Sequence, residues 1–108
     1  MITLNINQLS VPSGAASYLE FLRQSSMSMG LYRLEAGASD PQLPHSEDEV
    51  YVVLKGEAMI RVGEEDAPVR EGSVVFVAKF VPHHFHSITT ALDVLVFFAP
   101  AEYSNQSA

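Results

Sequence analysis

The sequence predicts an all-β domain, a sandwich or barrel, on two observations. From Met27 onward, apolar runs rich in β-branched and aromatic residues are cut by Gly-, Pro- or Asp-containing turns, at a spacing of about 8–12 residues that marks sandwiches and barrels. The chain has 108 residues, 47% of them hydrophobic, which suffices for one core and falls short of two.

Taken in order, the first element is a helix. Pro12 and Ser13 supply a start signal, and Ala15, Ala16, Leu19, Phe21, Leu22 and Arg23 follow with partial helical spacing. Ser25, Ser26 and Ser28 end it. Strands follow at Met27 to Leu34, Val50 to Leu54 and Ala58 to Val62, the last two parted by the turn signal Lys55-Gly56. Pro68 to Arg70, Ser73 to Ala78, His83 to Ile88 and Leu92 to Phe98 complete the set. The domain core thus spans about 27–100, with residues 1–26 as an N-terminal extension. Residues 102–108 are polar and are expected to form a flexible tail.

Alternation along the strands adds a second layer. Glu49, Tyr51 and Val53 share one face, and Val50, Val52 and Leu54 share the other. Apart from one carboxylate, both faces are apolar, as is Leu92 to Phe98. Strands of this kind are covered on both sides. One side faces the barrel interior and the other a second sheet or a partner subunit; in so small a domain a homodimer is expected.

Composition excludes several functions. Six Lys and Arg face thirteen Asp and Glu, for a formal charge of -7. Such a chain lacks the cations that nucleic-acid phosphates and anionic membranes require, so neither is an expected partner. The absence of cysteine removes disulfides, thiolate nucleophiles, iron–sulfur clusters and Cys-ligated zinc. A metal would have to be held by His and carboxylates. No apolar run approaches the roughly 20 residues that cross a bilayer. The opening MITLNINQLSVPSGAAS has no basic region or long apolar stretch, so the cytoplasm is the expected compartment.

The residues that can carry chemistry fall in two clusters. Glu49 opens an otherwise apolar strand, and a carboxylate in a dry core is costly unless paired or metal-bound. His45, Glu47 and Glu49 point the same way in an extended chain. The second cluster is Pro82-His83-His84-Phe85-His86, which holds three of the four histidines. There His83 and Phe85 face one way and His84 and His86 the other, so only one pair can join His45 inside. On spacing alone two readings stay open: a metal site, or a solvated His-rich turn with Glu49 paired to Arg33 or Arg61.

Pro44-His45-Ser46-Glu47-Asp48-Glu49-Val50-Tyr51-Val52-Val53-Leu54-Lys55-Gly56 resembles the first motif of the cupin superfamily, G-x5-H-x-H-x3–4-E-x6-G. The stretch from Gly72 to His83 resembles the second, G-x5-P-x-G-x2-H-x3-N. The likeness covers about Met27 to Pro100 and is closest to small single-domain cupins. It implies a double-stranded β-helix, or jelly-roll barrel, and it resolves the strand ambiguity in favour of His83.

There are departures from the pattern. Leu43 stands where the first motif has another His. Ala78 and Phe80 stand at the Pro and Gly of the second, and Ser87 at its Asn. The resemblance therefore implies a metal site of His45, Glu49 and His83, two imidazoles and one carboxylate, suited to Fe, Mn, Ni or Zn and with positions left open. His84 and His86 would face away. Glu47, Tyr51, Met59, Phe76 and Phe85 are the candidates for the pocket wall, and for each of them core packing is the competing role. Tyr32 and Arg33 lie on a strand that could reach the mouth, where Arg33 would suit a carboxylate. The implied function is a metal-binding protein acting on or binding a small organic molecule, of dioxygenase or isomerase type. The alternative is a non-catalytic binding module with a degenerate site, since the superfamily hosts both.

Overall fold

The computed structural model describes residues 1–105. A short 3-10 turn, Ile6–Gln8, precedes six strands: β1 Ala16–Gln24, β2 Met27–Leu34, β3 Asp48–Val62, β4 Glu65–Arg70, β5 Val74–Val77 and β6 His83–Ala99. All pairings are antiparallel, in the order β1-β2-β6-β3-β4, with β5 also paired to β3.

The ribbon made by β3 and β6 sets the architecture. Its register runs from Asp48 opposite Ala99 to Val62 opposite His83. Part-way along both strands the buried positions change parity and the register slips. The ribbon therefore bends back on itself. On β3 the bend lies between Val53 and Met59, where the register slips and the buried positions change parity, from Glu49, Tyr51 and Val53 to Ala58 and Ile60. Gly56 makes this possible. Its φ is +102°, and a Cβ there would lie 2.2 Å from the Ala91 carbonyl oxygen. On β6 the parity changes at Ser87, whose φ is 51°, so His83 and Phe85 give way to Ile88 and Leu92 inside. The result is an all-β jelly-roll barrel packed around Leu34, Tyr51, Val53, Phe85, Leu92, Val94, Val96 and Phe98.

Three expectations need correction. Residues 16–24 form strand β1 instead of a helix, paired with β2 from Ala16 opposite Leu34 to Gln24 opposite Met27, so Ser25 and Ser26 are a hairpin turn. A bulge between Glu20 and Leu22 breaks the alternation of two and produces the helix-like apolar spacing. Val50 to Leu54 and Ala58 to Val62 are one strand, as are His83 to Ile88 and Leu92 to Phe98, because Gly56 and Ser87 bend the chain without reversing it.

The expected flexible tail is the third. Glu102 is buried and its N–H donates to Ser28 Oγ at 2.9 Å. The N–H groups of Tyr103 and Asn105 donate to the Glu47 carboxylate at 2.7 and 3.0 Å. Residues 102–105 are thus tied to the barrel, while 106–108 lie outside the described residues.

The outer face of the sheet carries two apolar rows. One runs Phe76, Val50, Phe97, Met29, Leu22 and the other Val74, Val52, Leu95, Leu31, Leu19, each crossing five strands in register. Val74 is 68% and Phe76 61% exposed. No helix among the described residues is long and apolar enough to cross a membrane.

Candidate metal centre

Three separate segments deliver the site. His45 lies near the end of the loop before β3, Glu49 is the first inward residue of β3 after its start, and His83 opens β6. The turn before β6 is locked to the loop: Phe80 N–H donates to the His45 carbonyl at 2.7 Å and Lys79 N–H to Asp48 Oδ1 at 3.0 Å. This clamp brings His83 to His45 although 37 residues separate them in sequence (83 − 45 = 38, less one).

His83 Nε2 lies 3.1 Å from Glu49 Oε1, and His45 Nδ1 lies 3.5 Å from the same oxygen. One donor atom from each of the three residues falls within 4.8 Å of the others. His45 Nδ1, Glu49 Oε1 and His83 Nε2 are all buried, and despite their closeness none makes an aligned hydrogen bond. Three buried electron-pair donors converging without an aligned mutual hydrogen bond are an arrangement that suits a cation.

The outer atoms of both rings support this. His83 Nδ1 donates to the Val81 carbonyl at 2.9 Å, which leaves Nε2 bare toward the centre. His45 Nε2 faces Glu102 Oε2 at 3.2 Å, which leaves Nδ1 bare. Partners of this type orient imidazole ligands and raise their basicity. The residues present therefore fit a divalent ion.

The charges are coupled. Burial pulls the His45 imidazolium down, but the Glu102 and Glu49 carboxylates beside the ring outweigh it and raise the pKa to about 9. Burial likewise opposes the His83 charge, and Glu49 with the Val81 carbonyl overcomes it, so His83 is raised. Glu49 is raised by burial and lowered more strongly by the two rings, ending below the ordinary carboxylate value. Without a cation the two rings and the acid favour a protonated cluster, and a divalent ion would displace that proton.

A cavity of about 430 Å³ opens onto His45 and Glu49. Its wall includes Tyr18, Tyr32, Tyr51, Phe98 and Glu102, with Leu43 at the rim. Leu43 is 78% exposed, so the position of the missing motif His points to solvent. His83 itself is closed off behind Glu49.

Sequence reasoning named some of these residues and misplaced others. Tyr51 lines the cavity, its hydroxyl donating to Gln42 Oε1 at 2.9 Å. Phe85 is core, its ring 5.0 Å from Tyr51 and off the cavity wall. Glu47 is buried but serves the 103–105 backbone and the Ser46 hydroxyl. Met59 faces outward because the Gly56 bend inverts the alternation. Phe76 also faces outward, since Val75 and Val77 pair with Tyr51 and Glu49 inside. Arg33 pairs with Asp93 at 2.7 Å on the outer face and does not reach the mouth. His86 lies outside, 2.7 Å from Asp66.

Tyr18 and Glu102 were missed. One was hidden by the helical reading and the other by the polar tail, and no local signal marks either.

Residues 30–99 match the family model described as Cupin domain. An uncharacterised protein of Streptomyces coelicolor is 54% identical over 86 residues, 80% of this chain and 82% of that one. Among solved structures, TT1209 of Thermus thermophilus aligns at a TM-score of 0.81 and 26% identity, covering 94% of this chain and 99% of the other. The Schizosaccharomyces pombe Cnp3 cupin domain aligns at 0.81 and 14% identity, over 92% and 74%. Salicylate 1,2-dioxygenase from Pseudoaminobacter salicylatoxidans, solved in complex with gentisate, shares the fold at 0.74 and 16% identity over 86% of this chain and 27% of its own. With motif order, barrel and family match in agreement, the chain belongs to the cupin-domain family.

Proposed function

We propose that this cupin holds one divalent transition ion on His45, Glu49 and His83 and binds a small organic molecule in the adjoining cavity. Support comes above all from the three buried, unpaired donor atoms His45 Nδ1, Glu49 Oε1 and His83 Nε2. When bound, the ion would supply Lewis acidity or oxygen activation at positions the three side chains leave open. The residues themselves do the rest. Glu102 and the Val81 carbonyl fix the two ring tautomers. Tyr51, held by Gln42, lines the cavity, and the Phe98 ring, its centroid 4.8 Å from that of His45 and tilted 53° to it, covers one flank of the imidazole. The competing reading, a binding module without turnover, draws on Leu43 in place of a fourth ligand.

Elemental analysis of the purified protein tests the proposal. Near-stoichiometric Fe, Mn, Ni or Zn is expected, lost in His83→Ala and Glu49→Ala and retained in His86→Ala. Metal-free protein that takes up none of these ions on dialysis would refute it. We further propose that the chain works as a homodimer through the two outer apolar rows.

A further inference from the structure

Tyr18 places a hydroxyl that has no partner. Its oxygen is buried and makes no hydrogen bond, although the residue lines the cavity. The neighbouring tyrosines differ: Tyr32 donates to Asp40 Oδ1 at 2.6 Å and Tyr51 to Gln42. An unsatisfied buried hydroxyl is destabilising, a penalty that Phe at this position would avoid.

The fold also makes room for it. A Cβ on Gly30 would lie 2.0 Å from the Tyr18 hydroxyl oxygen. Gly30 is an inward position of β2, between Ser28 and Tyr32. The missing side chain of one strand is thus replaced by the hydroxyl end of a side chain from the next.

The charges of the wall point to the ligand. Glu49 and Glu102 are its ionisable acids, and among the described residues no Lys or Arg lines the cavity. Arg33 and Arg61 are paired to Asp93 and Asp66 outside. Arg23 binds Glu20 and the Glu102 carbonyl. An anionic group beyond the metal would meet carboxylates and aromatic rings with no counter-charge.

We infer that the cavity selects an uncharged ligand that carries a hydrogen-bond acceptor for the Tyr18 hydroxyl. This rests on the proposed metal-and-ligand reading and narrows it. A hydroxy-acid with a free carboxylate is excluded, and a neutral diol or enediol bearing a carbonyl or ether is favoured.

The near-isosteric pair 3,4-dihydroxybenzamide and 3,4-dihydroxybenzoate tests this by calorimetry on the protein as purified, with metal content measured on each sample. The amide is expected to bind at least tenfold more tightly than the acid. Tyr18→Phe should weaken the amide about fivefold or more while leaving the melting temperature unchanged or higher, since it removes an orphan. Equal or tighter binding of the acid, no binding of either probe, or an amide affinity untouched by Tyr18→Phe would overturn the inference. If the charge preference and the Tyr18 effect hold in protein that binds no metal, the metal reading fails and the selectivity stands.

Discussion

His45 stands between two carboxylates, with Nδ1 3.5 Å from Glu49 and Nε2 3.2 Å from Glu102. One carboxylate shares the proposed ion with the ring and the other fixes its tautomer. Glu102→Gln keeps the shape but removes the charge that aligns the ring. Metal affinity, read by cobalt titration, is expected to fall about 10- to 100-fold with the fold intact. An unchanged affinity would mean that Glu102 only fills space.

Legibility of this arrangement follows the range of the forces behind it. Glu49, His45 and His83 stood out because acids and imidazoles are anomalous beside apolar strands. Glu102 did not, because its role comes from a contact with a ring 57 residues away (102 − 45). The strands of β3 were legible as apolar runs, but whether Gly56 reverses or bends the chain depends on the Ala91 carbonyl packed against it. Met59 was misread for that reason. Residues 16–24 were misread because one bulge imitates helical spacing, and only the pairing with β2 decides.

The titration behaviour of the cluster gives a second expectation, for metal-free protein. The folded pKa of His45, about 9, exceeds its unfolded value of about 6.5. Its contribution is therefore fully present below pH 6.5 and is lost as pH rises through 9. Glu49 is shifted the other way, so its contribution is present above about 4.5 and is lost as pH falls. The melting temperature should peak between these limits and decline toward pH 9, by on the order of 2–3 kcal/mol in stability. Bound metal displaces the proton, so the alkaline decline should vanish in loaded protein, and apparent metal affinity should rise with pH up to about 9. A flat profile in the metal-free form would contradict the assigned proton.

Phe80 is strained by its place in the turn. Its φ is 65° and its side chain is 62% exposed, where the family motif has Gly. The left-handed backbone costs an L-residue roughly 1–2 kcal/mol, and little burial offsets it. Phe80→Gly is expected to stabilise the protein by about 1 kcal/mol, or roughly 4 °C in melting temperature, because the backbone bond to His45 needs no side chain. A lower melting temperature would show that the ring packs more usefully than its exposure implies.

The outer face supplies the last expectation. Val74 and Phe76 lie at the β5 end of two apolar rows that continue through Val52 and Val50 to Leu95 and Phe97. Val74 and Phe76 are exposed, and exposed apolar side chains continuous with such rows are a hallmark of an interface. The six Lys and Arg of the chain contribute Arg33 to this face, paired with Asp93, so a like surface can approach without charge repulsion. Light scattering should therefore give a dimer at micromolar concentration, and Val74→Lys with Phe76→Lys should give a folded monomer, since both side chains already stand in solvent and their loss opens no cavity. A wild-type monomer, or a doubly substituted protein that still dimerises, would place the interface elsewhere or remove it.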